Sequence, residues 1–383
     1  MLVLLTLQLM GGMVSSPQRT FFPIYLSDLG HSAVFISWLA TAQRLTGLAA
    51  AALGGSLSDT LGRERTLLLG QLIVLLAGLV FFASSPWLIV LLCALSGIGY
   101  SLQTLGSQTY LLDNAHSRSL GVLTALYNWG YTLGGALAGP LAALLLHANN
   151  YRAFAIALTA FSLLILLVNR LFLPPSRTAP ALATAAARPR GYREIATRPI
   201  SLLLAALRFL PTFYWGMALI LIPLMLRGAG ASLALIALYA TVSQIVATLA
   251  QIVAGRAADR FGCRWPVLLT YALLTGGVLL TALSSGSIWG IFVSGTLGAS
   301  AAWAQSTLMP SMVAQVTAPP ERGRVLGWIH LWWNAGMVLG SLVGGALFER
   351  SAGLPFGVAG LGMLLATGLA ALFLRRTQPV VQA

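Results

Sequence analysis

Twelve times along the chain an apolar run of about twenty residues is closed off by charge or by Pro, Gly and Ser. At ~1.5 Å per residue, each run matches the thickness of a bilayer's hydrocarbon core. In that solvent every backbone N–H and C=O has to be satisfied internally, which leaves the helix as the form open to a single segment. The runs lie near residues 2–27, 33–58, 66–84, 87–112, 119–146 and 152–173, then 200–226, 232–256, 265–284, 288–313, 325–348 and 355–374. With only 8% of residues charged, a soluble domain is excluded. The first run lacks the basic n-region and the small-residue cleavage site of a signal peptide, so it reads as a retained helix.

Between the sixth and seventh runs lies PPSRTAPALATAAARPRGYREIATRP, too polar for lipid and rich in Pro, Ala and Arg, the composition of a linker. The domain reading is a bundle at 1–173, a cytoplasmic linker at 174–199 and a second bundle at 200–383. The fold class expected is an all-α membrane protein of twelve transmembrane helices in two pseudo-symmetric six-helix bundles.

A net charge of +14 invites a nucleic-acid reading, but the 22 basic residues are all arginine and their placement explains them. Three lie within spans, Arg152, Arg227 and Arg350 fall on one side of the membrane, and the remainder on the other. That bias orients both termini and the linker to the cytoplasm of a multi-pass inner (plasma) membrane protein, its partner the lipid bilayer and not a nucleic acid. Cys93 in a span and Cys263 in a loop suggest neither a disulfide nor a metal site, and no cofactor is expected.

The halves repeat one another. A shift of 200 residues lays Pro23 on Pro223, Gly30 on Gly230, Asp59 on Asp259 and Gly62 on Gly262; further on, a shift of 206 lays Gly121, Asn128, Gly130 and Gly134 on Gly327, Asn334, Gly336 and Gly340. Such duplication is a common plan among secondary transporters, with the substrate site near the bilayer midplane. With the pattern G-x-L-x-D-x-x-G-R formed by Gly55, Leu57, Asp59, Gly62 and Arg63, the chain resembles the major facilitator superfamily over essentially its whole length. The second copy keeps Asp259, Arg260 and Gly262 but has Cys263 in place of the arginine.

The resemblance implies alternating access and a cytoplasmic latch built from Gly55, Asp59, Gly62, Arg63, Arg65, Asp113, Asp259 and Gly262, with Asp113 the ion-pair partner of Arg63 or Arg65. Glycine permits close packing and tight turns there, and a carboxylate favours a helix N-terminus and nearby guanidinium groups.

All eight acids fall in loops or at span ends, so no mid-membrane carboxylate is available for proton coupling. His330 titrates in the right range but reads as interfacial, near the start of the eleventh span. Three arginines lie within spans: Arg19, Arg44 and Arg208. A guanidinium in hydrocarbon costs several kcal/mol without a wet cavity or partners, which makes each a candidate functional residue. Gln8, Gly12, Ser15 and Arg19 share one helical face, as do Arg208, Thr212, Trp215 and Leu219 at corresponding positions. Asn128 and Trp129, Gln244 (the counterpart of Arg44), Gln305 and Asn334 complete the candidate substrate-binding set, since amides beside indoles suit hydrogen bonding and stacking.

The expected function is a secondary active or facilitative transporter, working as a monomer, for a small organic anion or an amphipathic compound with an anionic group. The alternatives are multidrug or sugar efflux by proton antiport and a non-transporting membrane sensor on the same scaffold. An enzyme is not expected, since no nucleotide loop, metal-ligand cluster or nucleophile-base pair is present in the sequence.

Overall fold

A computed structural model of the chain describes residues 1–114, 120–146, 150–174, 194, 196–317 and 322–376; the side chains of 52–60, 77, 112, 113, 120–122, 124, 125, 322–324 and 376 lie outside the described set. Twelve long helices follow in order, with no strand among the described residues. They are α1 (Leu2–Asp28), α2 (Ala33–Leu61), α3 (Arg63–Ala77, extended by a 3₁₀ turn Gly78–Phe82), α4 (Pro86–Asn114), α5 (Leu120–Leu145) and α6 (Tyr151–Phe172). The second set is α7 (Pro199–Gly228), α8 (Leu233–Phe261), α9 (Arg264–Leu283), α10 (Ile288–Val316), α11 (Arg322–Phe348) and α12 (Leu354–Arg376).

Among the described residues eight of these segments are long and apolar enough to cross a membrane by composition. α1 and α10 fall outside that set because Gln, Ser, Gly and, in α1, Arg19 dilute their leucines. Lower apolarity in a transmembrane helix is the signature of a face turned toward protein or water instead of lipid.

The backbone repeats as the sequence does. Among the described residues four glycines have positive φ: Gly30 at 86°, Gly62 at 95°, Gly230 at 90° and Gly262 at 75°. They form two pairs 200 residues apart, each closing a turn that a side chain would strain. The later shift of 206 is corrected. α5 and α11 open at Leu120 and Arg322, which are 202 residues apart. Their packing agrees: a Cβ on Gly134 would meet Leu9 O and Met13 N, and one on Gly336 would meet Phe209 O and Phe213 N. The Asn-and-Gly match of the sequence is therefore one helical turn out of structural register, because i and i+4 present the same face and a motif can slide by a turn.

At two prolines within the helices, Pro140 and Pro211, the freed carbonyl is met by a neighbouring hydroxyl. Pro211 has no N–H for Leu207 O, and Tyr271 Oη of α9 donates to that oxygen at 2.7 Å. Pro140 likewise frees Ala136 O, which accepts from Thr241 Oγ1 at 3.2 Å. In lipid an unsatisfied carbonyl costs several kcal/mol, so these hydroxyls permit kinked helices at little penalty.

One compact unit holds α1–α6 together with Ser232–Thr241 at the start of α8; the other holds α7, the remainder of α8 and α9–α12. In the first, Phe21, Phe81 and Phe154 pack edge to face, with centroids 5.2 and 5.7 Å apart. Tyr25 joins them and donates to Ala83 O at 3.0 Å. Tyr110 donates to Pro174 O at 3.0 Å, tying the end of α6 to α4. In the second unit the fully buried Tyr214, Tyr271, Phe356 and Phe373 anchor the core.

Candidate functional site

In the first unit the site begins where α1 and α5 meet. Glycines let the backbones touch: a Cβ on Gly12 would lie 2.0 Å from Tyr131 O. That approach places the Tyr131 hydroxyl on α1, where Arg19 Nη2 donates to it at 3.0 Å and Ser15 Oγ lies 2.8 Å away. Tyr100 of α4 donates to Gln18 Oε1 at 2.8 Å and is close enough to Arg19 to feel its charge.

Arg44 of α2 lies within electrostatic reach of Arg19. Its Nε is buried and has no hydrogen-bond partner. Counted along their helices from Asp28 and Ala33, Arg19 and Arg44 lie ~14 and ~17 Å below the same membrane face. None of the hydrogen bonds or ion pairs of either guanidinium goes to a carboxylate among the described residues. Guanidinium pairs with carboxylate in a planar fork, and the two cations stand at similar depth with the Arg44 Nε–H unspent.

A cavity of about 20 Å³ is lined by Ser15, Gln71, Tyr100, Gln103 and Ser162 with apolar neighbours, enough for one water with several polar partners. At the edge of that lining, Asn169 Nδ2 donates to Gln71 Oε1 at 2.6 Å, so a chain of polar groups on α1, α3, α4 and α6 runs through the bundle.

The second unit carries its own cluster. Arg208 of α7 is 9% exposed and Nη1 donates to Ser306 Oγ of α10 at 3.0 Å. Tyr271, whose hydroxyl replaces the missing Pro211 N–H one residue from Arg208, accepts from Gln305 Nε2 at 2.8 Å. Around the cluster run Phe209 and Trp332 at 5.9 Å, Trp328 and Trp332 at 5.7 Å, and Trp215 and Trp303 at 6.0 Å.

The candidate residues therefore separate. Arg19 with Arg44, and Arg208 in its own unit, stand in polar clusters. Gln305 is 1% exposed and spent on Tyr271, so the structure places it as a support for Tyr271 and not as a group open to a ligand. Asn128 and Trp129 are exposed on α5, and Gln244 is half-buried on α8. Asn334 is half-buried and uses its amide on His330 O at 2.9 Å. Sequence reasoning missed Tyr131, Tyr100, Tyr271 and Ser306. One signal was present: Pro211, four residues after Leu207, announces an orphaned carbonyl that some hydroxyl has to meet.

Of the candidate latch, the side chains of Gly55, Asp59 and Asp113 lie outside the described residues. Gly62 and Gly262 make the turns already described, Arg63 is half-buried, and Arg65 and Asp259 are exposed. Cys263, beside that second turn, has its thiol pushed up by burial, with a Ser311 hydrogen bond opposing and the Asp259 carboxylate reinforcing the rise. Among the described residues no cluster of three or more His, Cys, Asp or Glu side chains is placed to hold a metal ion.

The sequence profile described as Major Facilitator Superfamily matches residues 4–217 and 204–383. The chain is 27% identical over 382 residues to a gallate transporter of Pseudomonas putida, an alignment covering 88% of this chain and 84% of that one. It is 33% identical over 146 residues to a class H tetracycline resistance protein of Pasteurella multocida, covering 38% of this chain and 34% of the relative. Its fold is similar to that of a bacterial homologue of the human lysosomal transporter Spinster, solved inward-facing and occupied, with a TM-score of 0.76 at 15% identity over 98% of this chain and 96% of that one.

Proposed function

The chain belongs to the Major Facilitator Superfamily and is a multi-pass membrane transporter, not an enzyme, and from that premise we propose that it carries a small organic anion across the inner membrane by alternating access, as a monomer with both termini cytoplasmic. The observation that carries the reading is the pair Arg19 and Arg44, which share one depth and one unit with the Arg44 Nε–H unspent. Arg208 supplies a comparable cation in the second unit. Within a span a carboxylate ligand offsets the cost of such charges, whereas a neutral ligand leaves it standing.

The Pseudomonas relative supports an aromatic carboxylate as the probe class, since gallate is one. In the first unit the Tyr131 hydroxyl beside Arg19 and the exposed Trp129 indole suit a planar ring carrying hydroxyls. The latch reading rests on the paired turns at Gly62 and Gly262 and on the match of Gly55, Asp59, Gly62 and Arg63 to the family pattern. The tetracycline-resistance likeness, confined to about a third of each chain, favours drug efflux as the second reading.

Thermal stabilisation of the purified protein separates the two, because a ligand that binds the folded state raises its apparent stability by RT ln(1 + [L]/Kd). Gallate and benzoate are compared with glucose and a lipophilic cation such as tetraphenylphosphonium. Stabilisation by the carboxylates that is lost in Arg19→Gln and Arg44→Gln is the expected result. Stabilisation by the cation or the sugar alone makes these arginines structural and moves the assignment to efflux of neutral or cationic compounds.

A further inference from the structure

Five polar side chains from four helices line the cavity of the first unit: Ser15 of α1, Gln71 of α3, Tyr100 and Gln103 of α4, and Ser162 of α6. Their hydrogen bonds to the rest of the protein leave much of their capacity open. Ser15 Oγ donates at 2.7 Å to Gly11 O and at 2.8 Å to Tyr131 Oη, so its one proton is committed while its lone pairs accept from no described group. Gln71 gives its Oε1 to Asn169 and keeps its amide protons. Tyr100 donates to Gln18 and accepts from no described group. Gln103 and Ser162 make no side-chain hydrogen bond among the described residues. Ser15, Gln71 and Ser162 are 4, 5 and 6% exposed, which cuts them off from bulk water.

Buried polar groups are paired in all but a few cases, because an unpaired one forfeits its hydration. Here the amide protons of Gln71 and Gln103, the Ser162 hydroxyl and the lone pairs of Ser15 and Tyr100 share one cavity without bonding one another. Its volume of about 20 Å³ exceeds the ~10–15 Å³ that a water needs, and a water brings two protons and two lone pairs to match both kinds of partner. An organic ligand is too large, and a cation is disfavoured by Arg19, whose charge reaches Tyr100 on the cavity wall.

We propose that this cavity is a water-binding site and that its water positions Arg19 for the anion. The water accepts from the Gln71 and Gln103 amides and donates to Ser15 Oγ and Ser162 Oγ. Ser15 then keeps its proton toward Tyr131, and Tyr131 keeps its oxygen toward Arg19 Nη2 at 3.0 Å. Two hydrogen bonds thus separate the cavity wall from the guanidinium, in a chain whose members polarise one another. The role assigned to Arg19 rests on the anion reading given above; the water site does not. Gly11 leaves the room: a Cβ there would meet Gln103 Nε2 at 3.5 Å, an ordinary contact, so alanine fits the backbone but stands in the place of the water.

The test joins thermal unfolding of the full-length purified protein to calorimetric binding of benzoate. Gly11→Ala and Ser162→Ala are compared with the parent and with Tyr110→Phe, which removes the bond to Pro174 O at the end of α6. Around an empty cavity both alanines stabilise, the first by helix propensity and filled space, the second by deleting an unpaired hydroxyl. Around a bound water both leave partners unpaired, and a melting temperature lower by about 2–4 °C is expected. Gly11→Ala is also expected to raise the benzoate Kd several-fold, whereas Tyr110→Phe lowers the melting temperature at the parental Kd. A melting temperature equal to or above the parental one in either alanine variant overturns the water site. A lower one in both, with the benzoate Kd of Gly11→Ala unchanged, overturns the positioning of Arg19. If benzoate does not bind the parent, the anion reading fails and the positioning role with it, while the melting temperatures still decide the water site.

Discussion

Alanine at Gly134 is the sharpest structural perturbation the chain offers. A Cβ there would lie 1.9 Å from Leu9 O, whereas ordinary contact begins at about 3.4 Å, so α1 and α5 have to part by about 1.5 Å. Overpacking of this kind costs about 1–3 kcal/mol, and the equivalent change at Gly340, 2.0 Å from Phe213 O, is expected to cost the same in the second unit. Gly276→Ala in α9 and Gly368→Ala in α12 are the controls, since a Cβ meets nothing within 4 Å at either. There helix propensity predicts a neutral effect or a gain of up to about 0.5–1 kcal/mol. Thermal unfolding followed by tryptophan fluorescence, at one scan rate for all four, is expected to separate the pairs by several degrees. Gly134→Ala carries a second consequence that Gly340→Ala lacks, because parting α1 from α5 stretches the 3.0 Å bond from Arg19 to Tyr131. Its carboxylate-induced stabilisation should therefore shrink beyond what the lower melting point accounts for. A Gly134→Ala protein as stable as Gly276→Ala would refute the close α1–α5 contact on which the placement of Arg19 depends.

Tyr131→Phe removes the hydroxyl from Arg19, and on an exposed arginine the loss is about 1 kcal/mol, read as a roughly fivefold to tenfold rise in carboxylate Kd with little change in melting temperature. Tyr271→Phe strips the donor from Leu207 O, which Pro211 leaves without another; a loss of about 1–3 kcal/mol of stability is expected, and Gln305→Leu should lower stability less. At Cys263, raised above the ordinary thiol value chiefly by burial and further by Asp259, labelling by a membrane-impermeant maleimide should be slow at neutral pH and accelerate as pH rises, because only the thiolate reacts. Asp259→Asn lowers that thiol and should speed labelling at a fixed pH; Cys93, buried in α4, should stay unmodified. Labelling of Cys263 in inside-out vesicles and not in right-side-out ones reports the orientation expected from the arginine bias, and the reverse pattern contradicts it.

The twelve spans were legible because a bilayer imposes one length and one backbone form on each, so apolar runs map onto helices almost residue for residue. The turns at Gly30, Gly62, Gly230 and Gly262 were legible as a repeat because a positive φ leaves glycine little competition. The register of α5 against α11 was not, since Asn128 and Asn334 match in sequence yet differ by a turn in packing, and helical periodicity makes such slips invisible to a motif. Arg19, Arg44 and Arg208 stood out as costly in lipid; the tyrosines that hold or flank them did not, because Tyr131 lies 112 residues from Arg19 along the chain and nothing local requires the meeting. Gln305 shows the converse error. An amide beside an indole in a span suggests a ligand contact, but the nearest need for hydrogen bonding was Tyr271, inside the bundle.

The central claim is that the arginines of the first unit hold a carboxylate during transport, and uptake of radiolabelled benzoate and gallate into proteoliposomes by counterflow tests it most directly. The parent is expected to show saturable uptake of at least one of them, with Arg19→Gln and Arg44→Gln reduced about tenfold or more while melting like the parent. Saturable uptake that survives both substitutions, or a parent that moves neither carboxylate but does move glucose or tetraphenylphosphonium, would contradict the account.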